Sequence, residues 1–129
     1  MQWHTTPGFV DRPWANDGDG QVRGITGYIH RNSQPNNSYY CKYGSTTKFG
    51  CGFVVANNFS PSYVPNASAT FMRLYNPDDV DLASGGDSGG PVYTPTKAVG
   101  IISGSLGNDA IYMAANDIVS GLSLSILTT

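Results

Sequence analysis

Hydrophobic and polar positions along this chain change places over short distances. Seven stretches carry strand character: "QVRGITGYIHR" (21–31), "SYYCKYG" (38–44), "CGFVVANN" (51–58), "ATFMRLYN" (69–76), "GPVYTP" (90–95), "AVGIISGS" (98–105) and "DAIYMAA" (109–115). Each is rich in β-branched or aromatic residues and bounded by Gly, Pro, Asn, Asp or Ser, the pattern of half-buried strands closed by tight turns. Their spacing of roughly ten to fifteen residues predicts an all-β domain, either a Greek-key barrel or a sandwich. The tail departs from this rhythm. In "AANDIVSGLSL", Ile118, Val119 and Leu122 fall on one helical face behind Asn116, so a short helix is expected over 116–123 with Asn116 as N-cap. Residues 1–20 show no clean period and end in "NDGDG", which reads as an arm followed by a plain turn, since the remaining ligands of a calcium loop are absent.

Composition narrows the function classes. The chain has 129 residues, enough for one domain with a real core; 12% are charged, 16 are Gly and 8 are Pro, and the formal net charge is −2. Without a Lys/Arg cluster there is no electrostatic case for nucleic acid or an anionic membrane as partner. No apolar run approaches spanning length, and "MQWHTTPGFV" lacks the charged-then-apolar order of a signal segment, so the chain reads as mature, as trimmed of a leader, or as begun at an added Met1. Cys41 and Cys51 bracket "CKYGSTTKFGC". A lone pair in such a chain favours a disulfide and an oxidising, extracellular compartment, with two buried thiols as the alternative. His4 and His30 show no ligand spacing with them, so neither metal nor cofactor is expected. The Asn-x-Ser matches at Asn36, Asn58 and Asn66 are near chance in so Asn- and Ser-rich a chain.

The chemistry-bearing stretch is residues 84–92, "SGGDSGGPV". It is too glycine-rich for a helix or a central strand, so its backbone must take shapes that other residues cannot. A serine hydroxyl attacks a carbonyl only when a base takes its proton and donors meet the oxygen that becomes negative. Glycines around Ser88 would let the N–H groups of Gly86 and Ser88 turn towards such an oxygen. The same turn would draw Asp87 inside, where a carboxylate needs hydrogen bonds and a cation.

These residues resemble a known family. "GDSGGPV" is similar to the nucleophile motif of chymotrypsin-like serine proteases, and "CKYGSTTKFGCGFV" resembles the disulfide loop of their bacterial branch, the streptogrisins and α-lytic protease. "KAVGIISGSLGN" resembles the strand whose backbone pairs with bound substrate in that branch. The resemblance runs over about residues 21–127 in family order, ahead of which 1–20 would be an arm or linker. It implies a six-stranded antiparallel Greek-key barrel with a C-terminal helix, half of a double barrel. It implies Ser88 as nucleophile, Gly86 with Ser88 as oxyanion donors, and Ser103, Gly104 and Ser105 as the substrate-binding edge of a secreted endopeptidase acting on polypeptides. A basic residue after the first loop cysteine neutralises the buried aspartate in that branch, so Lys42 would pair with Asp87.

The resemblance also has gaps. Its histidine base lies in a "T-A-x-H-C"-like stretch of a separate N-terminal barrel, and no such stretch occurs among the 87 residues before Ser88. His4 in "QWHTTP" and His30 in "GYIHRN" read as surface or packing histidines. The expectation is a nucleophile-bearing half, inactive alone, that meets a histidine-bearing barrel, a second copy or a strand-swapped copy. The alternatives are a non-catalytic binding or assembly module built on the same barrel, and a hydrolase using His30 or a lysine as base. Ser84 and Asp109 stand near the positions of a second family disulfide, which is therefore absent. Asp81 or Leu82 would line the primary specificity pocket, one residue of register deciding between a preference for basic or apolar side chains.

Overall fold

The computed structural model describes residues 7, 8, 10–18 and 21–129. Among these residues nine strands and one α-helix follow in order. They are β1 (Trp14–Gly18), β2 (Gln21–Gly24), β3 (Gly27–Tyr28), β4 (Tyr39–Gly44), β5 (Lys48–Phe59), β6 (Phe71–Tyr75), β7 (Pro91–Tyr93), β8 (Lys97–Leu106), β9 (Asp109–Ala114) and α1 (Ala115–Leu122). Six of them, in the order β8-β7-β4-β5-β6-β9, pair antiparallel and close through a β8–β9 ladder. This is the expected six-stranded barrel; β3 adds two residues parallel to the start of β8.

Alternation builds the interior. Met72 and Leu74 of β6, Ala110, Tyr112 and Ala114 of β9, Ile102 of β8 and Val92 of β7 all point inward and are buried. Closure pairs each of these strands on both sides along most of its length, leaving the end of β8 beyond Ile102 paired on one side, and puts one apolar face of the sheet out of water. One buried polar network crosses this core. The Tyr112 hydroxyl donates to Gln34 Oε1 at 2.8 Å, and Gln34 Nε2 donates to the carbonyls of Ile29 (2.9 Å) and Val99 (3.1 Å). Burial, with Tyr40 nearby, raises the Tyr112 hydroxyl well above the ordinary tyrosine range, so it stays a neutral donor.

Three expectations need adjusting. The run 21–31 is split: β2 ends at Gly24, β3 begins at Gly27, and Arg31–Ser33 form a short 3-10 turn. Residues 14–18, expected as arm, are a strand paired with β2, whose Ala15 packs with Ile25 and Tyr93 in a second small core. The helix covers 115–122, and its N-cap is Ala114, with no side-chain cap. Asn116 instead accepts from the Arg31 backbone N–H (2.6 Å) and donates to Asp117. Its amide fastens the helix to the turn after β3, and that use outbids capping.

Candidate active site: the serine loop and its cradle

The glycine spacing of "SGGDSGG" resolves into two consecutive β-turns. The first closes with Asp87 N–H donating to Ser84 O (3.1 Å), the second with Gly90 N–H donating to Asp87 O (3.0 Å). The third position of each turn is a glycine with positive φ, +101° at Gly86 and +90° at Gly89. That is the type II position, where a side chain would be strained. Two turns in series push Asp87 down into the barrel wall and leave Ser88 exposed above it.

Beneath the loop lies the hairpin joining β4 to β5, and it holds the loop by hydroxyls and amides. Asp87 is 1% exposed. Its Oδ1 accepts from the N–H groups of Thr46 (2.8 Å) and Thr47 (3.1 Å). Its Oδ2 accepts from the Thr47 hydroxyl (2.6 Å) and Ser84 N–H (2.9 Å). Burial alone would raise this carboxyl; the Thr47 hydroxyl and the Ser84, Thr47 and Thr46 amides outweigh it and hold the group down at about 2. The clasp continues over the glycines, with Ser45 Oγ donating to Gly86 O (2.5 Å) and Thr46 Oγ1 to Gly85 O (2.6 Å).

Lys42 and Asp87 are brought to one cluster, but the pairing is relayed. Lys42 is fully buried, and its ammonium donates to the Thr47 hydroxyl and to Lys48 O (2.8 Å). Thr47 passes its own proton bond on to Asp87. A lysine ammonium is a compact point charge without a guanidinium's two-pronged fork, and here one hydroxyl stands between it and the carboxylate. Desolvation lowers the Lys42 pKa, opposed by the charges of Asp87 and Asp81.

Above the loop the chemistry is open. Among the described residues, the N–H groups of Gly86 and Ser88 donate to no protein acceptor. Ser88 Oγ donates to Ser103 O at 3.0 Å. Beyond Ile102 the strand partner of β8 is β9 alone, so one backbone edge of Ser103, Gly104 and Ser105 is unpaired beside the serine. Tyr63 lies over Gly104 and donates to Ser103 Oγ (3.2 Å). A cleft of about 610 Å³ opens there, lined by Ser88, Gly89 and Ser103 and by Val64, Phe71, Ile101 and Met113.

Other residues singled out by sequence fall elsewhere. His30 is exposed, and its Nδ1 accepts from Asn32 N–H (3.1 Å), capping the 3-10 turn. An imidazole used to cap its own turn is not braced by a carboxylate as a serine-activating base would be. His4 lies outside the described residues. Leu82 is fully buried against Gly50 and Gly52, and Asp81 is exposed, accepting from Ser84 Oγ (2.5 Å). Neither lines the cleft at Ser88. Ser84 is thus tied to Asp81, and Asp109 pairs with Arg73 (2.6 Å), so both residues at the positions of the resemblance's second disulfide are engaged with other partners. Cys41 and Cys51 are bonded, 4.0 Å apart at Cα. The hydroxyls of Ser45, Thr46 and Thr47 were not assigned roles from sequence; the "GSTT" run between the cysteines was their only signal.

This fold and this loop define a class that comparison with known proteins supports. The chain is 28% identical over 134 residues to Serine protease 1 of Rarobacter faecitabidus, a match spanning 93% of this chain and 25% of that protein. Thermobifida fusca Protease A superposes with a TM-score of 0.81 at 26% identity, over 96% of this chain and 65% of its own. Cellulomonas bogoriensis chymotrypsin does so with a TM-score of 0.80 at 27% identity, over 97% and 67%. No protein-family model matches the chain. These likenesses support a barrel of the chymotrypsin-like bacterial serine protease kind, and the chain spans about a quarter of the curated relative it matches.

Proposed function

We propose that this chain is the nucleophile-bearing barrel of a secreted serine endopeptidase. One observation carries the reading: an exposed Ser88 stands between two unspent N–H groups and an unpaired strand edge. An extended polypeptide would add to the edge of Ser103, Gly104 and Ser105 as a further antiparallel strand, its scissile carbonyl over Ser88. Ser88 Oγ would then add to the carbonyl carbon while its proton passes to a base. The oxygen that becomes negative would sit on Gly86 and Ser88 N–H, and expulsion of the amine, protonated by the same base, would leave an acyl-serine for water to hydrolyse.

The base comes from elsewhere than the described residues: Ser88 Oγ meets a carbonyl there, and His30 is engaged in its own turn. A histidine-bearing barrel is the partner this requires, and the apolar cleft of Ile101, Met113, Phe71 and Val64 beside Ser88 supports such a covered face. Alone, the chain would retain only what oxyanion donors and binding supply, on the order of a thousandfold over water. The test is incubation of the folded chain with a fluorophosphonate and mapping of the adduct by mass spectrometry. Slow modification confined to Ser88, absent in Ser88→Ala and in urea-unfolded chain, is expected. Modification no faster at Ser88 than at other serines would refute the reading and favour a non-catalytic assembly module.

A further inference from the structure

We infer that Thr46 is a positioning residue for the oxyanion donors: its hydroxyl fixes the Gly85–Gly86 peptide so that the Gly86 N–H faces the serine. This rests on the acyl-transfer reading of Ser88. Both donors belong to peptide groups whose carbonyls are held. The Ser88 N–H shares its peptide with Asp87 O, which accepts from Gly90 N–H (3.0 Å). The Gly86 N–H shares its peptide with Gly85 O, which accepts from Thr46 Oγ1 (2.6 Å). No peptide in the described chain is cis, so holding a carbonyl on one side aims the attached N–H to the other.

The two holds differ in kind. Gly90 N–H is backbone and closes the second turn. The Gly85–Gly86 peptide is the central unit of the first turn, and a half-rotation of that unit is what separates type I from type II. With glycine on both sides, the chain itself does little to resist the flip. A flipped unit would aim the Gly85 carbonyl, an acceptor, at the place where negative charge must gather. The observed φ of +101° at Gly86 belongs to the productive arrangement. Thr46 is the side chain that selects it, and a Cβ on Gly86 would collide with that same hydroxyl. Ser45, by contrast, holds Gly86 O, whose peptide carries the Asp87 N–H already spent on Ser84. The "STT" run thus divides its labour, with Thr46 aiming a donor and Thr47 serving the buried carboxylate.

The experiment compares Thr46→Val, Thr46→Ser and Ser45→Ala with the unmodified chain in two readouts. The first is the ¹H–¹⁵N signal of Gly86 in the free protein, which needs no chemistry at Ser88. Thr46→Val should shift or exchange-broaden it, Thr46→Ser should restore it, and Ser45→Ala should leave it nearest the original. The second is the fluorophosphonate rate at Ser88. It should fall at least tenfold in Thr46→Val, towards the ~100-fold that loss of one oxyanion donor costs, and stay within about threefold in Thr46→Ser. A Gly86 signal unmoved in Thr46→Val, or an unmoved rate beside a moved signal, would overturn the inference. If no chain reacts at Ser88 while the signal responds as described, the acyl-transfer reading fails and the peptide hold stands. Should Thr46→Val not fold, Thr46→Ala against Thr46→Ser gives the same contrast.

Discussion

The two sides of the serine loop are finished to different degrees. Its underside is over-determined: the Asp87 carboxylate takes four hydrogen bonds, two glycine carbonyls are clasped by hydroxyls, and a buried ammonium balances the charge through Thr47. Its upper side offers two unspent N–H groups, a hydroxyl resting on a carbonyl, and an apolar cleft. The lesson is that holding the serine loop in shape and activating its hydroxyl are separable tasks. The first is complete within this barrel. The second, in the function proposed above, falls to a histidine-bearing partner.

The difference can be broken from below most forcefully at Asp87. Asp87→Ala would strand a buried ammonium and four donors, and should cost about 3–5 kcal/mol in urea unfolding. Acid should attack the same point more gently. The folded-state carboxyl is held at about 2 against an ordinary 3.8, so its contribution is present above pH 4 and lost as pH falls through 2. That contribution is about 2 kcal/mol, visible as a falling urea midpoint that is missing from an Asp87→Asn background. Reduction of Cys41–Cys51, which closes a loop with a sequence separation of 10, should cost about 2 kcal/mol, below the entropic ideal because the β4–β5 ladder already aligns the hairpin. On the upper side the effects on stability should nearly vanish. Ser88→Ala and Ile101→Ser should each stay within about 0.5 kcal/mol, while the first abolishes phosphonate labelling and the second weakens binding of a histidine-bearing barrel in sedimentation.

Much of this was legible in the residues. The stretches "ATFMRLYN" and "DAIYMAA" read as strands, and the structure makes them β6 and β9. The glycines of "SGGDSGGPV" announce a loop of unusual backbone, and it proves to be two positive-φ turns. What stayed hidden depended on contacts distant in sequence. Nothing local says that Asn116 will turn from capping to bind Arg31, 85 residues away. Nothing local says that Thr47 will stand between Lys42 and Asp87. Hydroxyl side chains are plentiful here, and only the docking of one hairpin under one loop gives three of them work. The placing of Leu82 was illegible for the same reason: nothing local says that it will be buried against Gly50 and Gly52.

The most direct test is the pH dependence of fluorophosphonate labelling at Ser88 in the isolated chain. Without an imidazole base, the logarithm of the rate should climb steadily with hydroxide across neutrality, unchanged by His4→Ala or His30→Ala. A rate that levels off through an inflection near pH 7, and that loses this inflection in either histidine variant, would contradict the account.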